Sequence, residues 1–155
     1  ARVRVNGLLI AKQNGTNQRI VELFAFLHDS MRYRDYDDPE HGMRAAGFIY
    51  RLPLDMLKIN REEQDTLAFA CAYHSAGLTE ADITVATCWD SDRLDLGRVG
   101  AVPQADNLCA EHGRQQDVIA KAYQRSRYML LKNNPESTLV QKWQPTTRDY
   151  TIDNA

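Results

Sequence analysis

Apolar side chains recur every three to four residues along most of this chain, and nowhere do they alternate as a half-buried strand requires. Between Thr16 and Ser30, the residues Ile20, Val21, Leu23, Phe24 and Leu27 fall at helical spacing, and Thr16 is placed to cap the start. Arg32 to Asp38 is polar and aperiodic, a loop. Asp38-Pro39-Glu40 then predicts a helix start, with Asp as cap, Pro at the first helical position and Glu in the first turn. That helix is expected to run towards Tyr50 and stop before Pro53. Asn60, with Glu63 three residues on, predicts a capping box opening a third helix. It carries Leu67, Ala70, Cys71 and His74 and ends at Ser75-Ala76-Gly77. A further helix is expected from Thr79 to Leu96, with Gly97 and Gly100 marking its end. A long amphipathic helix follows from Arg114 to Lys132. The pattern predicts an all-α helical bundle over residues 1–132 and a polar extension over 133–155. Its core is expected around Phe24, Phe26, Leu67, Phe69, Trp89 and Tyr123.

The length of 155 residues fits one domain with a substantial core. With 43% hydrophobic and 26% charged residues, the composition is that of an ordinary globular protein. A net charge of -2 carries no strong nucleic-acid signal, because a broad basic surface is absent. No apolar run approaches the roughly 18–20 residues that span a bilayer, so no membrane partner is expected. There is no apolar signal segment at the start either. Cys71, Cys88 and Cys109 are isolated and odd in number, which points to reduced thiols in a cytoplasmic protein.

The chemistry lies in the histidines and acids. His28-Asp29 stands at the end of a strongly apolar helix, His41 in the first turn of the next, and His74 in the last turn of the third. Asp92 lies between Trp89 and Leu94, where an acid is costly to bury unless it is paired or bound to a cation. Imidazole with carboxylate suits a divalent Mn, Fe, Co, Ni or Zn ion rather than an all-oxygen calcium cage. Asp90 and Asp95 read as a solvated helix face, and His112 as a surface residue.

The ordered set Leu27-His28-Asp29-Ser30, Asp38-Pro39-Glu40-His41-Gly42, Ala72-Tyr73-His74 and Asp90-Ser91-Asp92-Arg93-Leu94-Asp95-Leu96 resembles the HD superfamily of metal-dependent phosphohydrolases. The resemblance covers about two thirds of the chain. It implies a helical HD-type bundle with His28, Asp29 and Asp92 as metal ligands. His41 and His74 match the extra histidines that bind a second metal or the substrate phosphate in several branches. The family's first His has no counterpart between Ala1 and Gln18, and the resemblance places it immediately upstream of Ala1. Without it, a site of His28, Asp29 and Asp92 alone is expected to bind metal more weakly. The implied activity is hydrolysis of a small phosphorylated substrate or nucleotide. In it Asp29 orients a metal-bound water, and His41 or His74 holds the phosphate or protonates the leaving group. Arg32, Arg44 and Arg93 are candidate phosphate clamps, with Arg93 the one placed to point away. The alternative is a degenerate HD domain that binds a nucleotide without turning it over.

Overall fold

The computed structural model describes residues 2–35 and 37–133, and every regular element among them is helical. The α-helices are α1 (Arg2–Asn14), α2 (Gln18–Leu27), α3 (His41–Ile49), α4 (Leu54–Leu57), α5 (Arg61–Tyr73), α6 (Ile83–Arg93) and α7 (Gln116–Asn133). Two 3-10 turns, Leu96–Val99 and Ala105–Asn107, lie between α6 and α7. The fold is therefore all-α. Among the described residues no helix is long and apolar enough to cross a membrane. Apart from Asn133, which closes α7, the expected extension over 133–155 lies outside the described residues.

α2 is the central element, packed against α1, α5 and α6, while α3 lies along α5 and α7 packs on the first 3-10 turn and α1. Its Ile20, Val21 and Phe24 meet Leu67 and Cys71 of α5 and Cys88 and Trp89 of α6 in one apolar cluster. Trp89 donates its indole N–H to the Ala70 carbonyl at 2.9 Å, so burying it leaves no polar atom unpaired. A smaller cluster joins Ile10, Leu94, Leu108, Ile119 and Ala122. Phe24, Leu67, Trp89 and Tyr123 are buried as expected, but Phe26 is 65% exposed and Phe69 46%. Each stands two positions from a fully buried residue, Phe24 or Leu67, and a step of two on a helix faces nearly the opposite way.

The helix starts differ from the sequence pattern where a better acceptor lies nearby. Asn17, not Thr16, caps α2, its side chain accepting from the backbone of Arg19 and Ile20. Thr16 is instead buried and donates to Asn14. The Asn60–Glu63 capping box is present on α5. Asp38 does not cap α3, because its carboxylate binds Arg44 and accepts from the Tyr33 N–H; α3 begins at His41. α6 begins at Ile83 rather than Thr79, since it is Asp82 that accepts from Thr84 N–H. Gly97 is inside the first 3-10 turn, where a side chain would strike Ser126, and Gly100, at φ 84°, ends the turn. α1 has no apolar stripe in the sequence, because its buried face is Asn6, Gly7, Ile10 and Ala11. Gly7 lets α1 close on Val21 of α2 and Ser91 of α6.

Asp90 and Asp95, read as solvated, are both buried. Asp95 pairs with Arg2 at 2.7 Å. Burial pushes the Asp90 pKa up, against the backbone N–H groups of Cys109 and Ala110 that bond its two oxygens, each at 2.7 Å. This carboxylate anchors the loop leading to α7. Asp90→Asn turns one acceptor into a donor facing a backbone N–H. It should destabilise the fold by about 2 kcal/mol, the penalty of a buried unpaired donor. Thermal melting should then fall by roughly 4–8 °C for a chain of this size. An unchanged melting temperature would show that the anchor contributes nothing.

Candidate metal centre

Helix ends build the site. His28 is the C-cap of α2, His74 the C-cap of α5, and Asp92 lies in the last turn of α6. Three helix C-termini, each with a partial negative charge, therefore meet at one place and favour a cation there. His41 enters from the opposite polarity, as the first residue of α3. Gly42 permits this approach, because a Cβ on it would lie 2.6 Å from the Cys71 carbonyl oxygen of α5.

The backbone dictates how the imidazoles face. His28 Nδ1 lies 2.9 Å from the Phe24 carbonyl, His74 Nδ1 lies 2.7 Å from the Cys71 carbonyl, and His41 Nδ1 meets the Asp38 carbonyl. A carbonyl only accepts, so each Nδ1 carries a proton, and each ring when neutral presents its Nε2 lone pair inward. Those lone pairs converge. His28 Nε2 is 3.5 Å from Asp92 Oδ1 and 3.6 Å from Asp29 Oδ2. His41 Nε2 is 2.9 Å from His74 Nε2, and both approach Asp29 Oδ1, at 3.3 and 3.5 Å. Two lone pairs 2.9 Å apart repel unless a proton or a cation sits between them. Ligands on bonds of about 2.0–2.2 Å at tetrahedral or octahedral angles lie roughly 3.0–3.5 Å apart. The spacing of His28 Nε2 from the Asp92 and Asp29 oxygens is close to that of ligands sharing one metal ion.

Two overlapping groups emerge, His28 with His74 and Asp92, and Asp29 with His41 and His74, each with its ligand atoms within 4.8 Å. His28, Asp29 and Asp92, the expected ligand set, do come together, and His74 belongs to both groups. Asp29 Oδ1 is buried and accepts no well-formed hydrogen bond, an orphaned oxygen suited to a cation. Burial disfavours the charged form of His28, but Asp92 and Asp29 outweigh it and hold its pKa above the usual 6.5. Burial likewise opposes ionisation of Asp29 and Asp92. His74, His28 and Arg32 around the first, and His28 and His74 around the second, nevertheless hold both below the ordinary carboxylate range.

A cavity of about 430 Å³ opens onto His28, Asp29 and Asp92, and Arg2, Arg32 and Arg98 stand on its walls. Arg2 and Arg98 were missed in the sequence; Asp95, which pairs with both, draws them there from α1 and the first 3-10 turn. A neighbouring cavity, lined by His41 and Arg32, lies on the other side. Arg44 lines neither. Its guanidinium binds Asp38 and the Met31 carbonyl and stacks on Tyr33, holding the loop before α3. Arg93 points away, donating to the Leu78 and Asn107 carbonyls. His112 lies in a separate cavity beside Gln13 and Asp117.

No known protein family, curated protein or solved structure matches the chain.

Histidines bind metal only when deprotonated, so added zinc should be held at neutral pH and released on acidification as His28 takes up a proton. At pH 7.5, His74→Ala should weaken zinc binding at least as much as loss of an outer-shell partner does, about 10–100-fold. His112→Ala should leave it unchanged. Calorimetric titration checks both, and equal losses in the two variants would move the ion elsewhere.

Proposed function

We propose that this chain is an HD-type metal-dependent phosphohydrolase acting on a small phosphoester or nucleotide. The observation that carries the reading is the convergence of His28, Asp29, His41, His74 and Asp92, from four helix ends, beside a cavity walled by arginines. His28, His74 and Asp92 would hold a divalent ion, with Asp29 against it. When bound, such an ion supplies a hydroxide near neutral pH and offsets charge on a phosphoryl oxygen.

The chain's own groups fit the remaining tasks. Asp29, ionised and with an orphaned oxygen, can orient an attacking water. His41 lines the neighbouring cavity, where its imidazole can hold the phosphate or hand a proton to the leaving oxygen. Arg32 faces both cavities and can meet phosphate oxygens with its fork of donors. Arg44, committed to Asp38, is left out of this scheme.

The alternative, a nucleotide-binding module without turnover, uses the same residues, and turnover separates the two. With added manganese the chain should hydrolyse a generic phosphomonoester or a nucleotide, and chelation should stop it. Asp92→Asn is nearly isosteric but lacks the charge the ion requires. It should lower kcat/KM at least about 100-fold while keeping the helical circular dichroism. Full turnover in that variant would place the chemistry outside this centre. Metal binding without turnover on any phosphate ester would favour the binding module.

A further inference from the structure

The two ligand groups are not equivalent, because one already has a cation in it. Arg32 Nη2 lies 2.8 Å from His41 Nε2 and 3.0 Å from Asp29 Oδ1. The His41 proton is committed to the Asp38 carbonyl through Nδ1, so Nε2 carries the ring's one available lone pair. The guanidinium N–H uses that lone pair, which a metal at Asp29, His41 and His74 would need. We infer that Arg32 stands in for a second metal ion at Asp29 and His41, so that the centre takes one divalent ion, at His28, His74 and Asp92. This rests on the metal reading above.

The placement is built into the chain. Arg32 follows α2 by one turn, and its backbone N–H returns to the Asp29 carbonyl at 3.1 Å, which folds the side chain back over the helix end. The side chain is about three quarters inserted, at 27% exposure. Its Nε is buried without an acceptor, so the guanidinium stays there although one of its donors is unspent. What holds it is the ion pair with Asp29 and the hydrogen bond to His41.

Charge balance points the same way. Asp29 and Asp92 against Arg32 leave these side chains with one net negative charge when the imidazoles are neutral. One dication is nearly balanced there. A second would be pressed against both the first and the guanidinium in a partly buried site, where like charges repel strongly. The unspent Nε donor and the two cavities that Arg32 separates fit a phosphoryl oxygen as the partner that completes it.

Metal stoichiometry tests this without any activity assay. Equilibrium dialysis against manganese(II), followed by elemental analysis, should give one ion per wild-type chain. Arg32→Ala and Arg32→Gln, the second keeping bulk in case alanine unfolds the turn, should each give two. Electron paramagnetic resonance should then change from an isolated manganese spectrum to that of an exchange-coupled pair. His41→Ala in the otherwise wild-type chain should still hold one ion, because His41 holds the guanidinium. Two ions in the wild type, one in both folded Arg32 variants, or loss of the ion in His41→Ala would each overturn the inference while leaving a metal centre in place. No manganese in any folded form, wild type included, would instead remove the metal reading itself.

Discussion

Three backbone carbonyls decide what this site is. Those of Phe24, Asp38 and Cys71 each accept from a histidine Nδ1, and so turn three Nε2 lone pairs towards one another and towards two carboxylates. The carbonyls of Phe24 and Cys71 belong to the last turns of α2 and α5, where carbonyls are open to side chains; that of Phe24 also takes the His28 backbone N–H. The imidazoles satisfy them, and in doing so lose the freedom to turn away. Electron-rich atoms are thereby fixed closer than they would choose. A cation among them would relieve that repulsion.

The rest of the fold holds those helix ends in register. α2 touches α1, α5 and α6, so its C-terminus is fixed against three neighbours at once. Gly7 and Gly42 remove the side chains that would keep α1 and α3 at arm's length. Buried Gln64 donates to the Ile49 and Leu52 carbonyls, closing the far end of α3 and setting its position on α5. Asp95 draws Arg2 and Arg98 to the cavity wall. Polar groups therefore do much of the positioning, and the apolar clusters supply the bulk of the burial.

Residues acting through local patterns were legible in the sequence. The apolar spacing of α2, the Asn60–Glu63 box and the ordered His28-Asp29, His41, His74 and Asp92 set could be read without coordinates, and the structure brings all five side chains together. Residues whose state depends on distant partners were not. Asp90 reads as solvated until the N–H groups of Cys109 and Ala110 are seen to meet it. Arg44 reads like Arg32 in the sequence; only Asp38, Met31 and Tyr33 distinguish a loop clasp from a cavity wall. α1 escaped the apolar pattern because its buried face uses Asn6 and Gly7, chosen for a hydrogen bond to the Ser91 carbonyl and for close approach.

The proposed chemistry requires a divalent ion bound where these helix ends meet. Crystals grown with zinc, measured on both sides of the zinc absorption edge, locate it directly. An anomalous peak is expected about 2.0–2.2 Å from His28 Nε2, His74 Nε2 and an Asp92 oxygen. Zinc absent from this centre at saturating concentration, or bound only at sites such as His112, would contradict it.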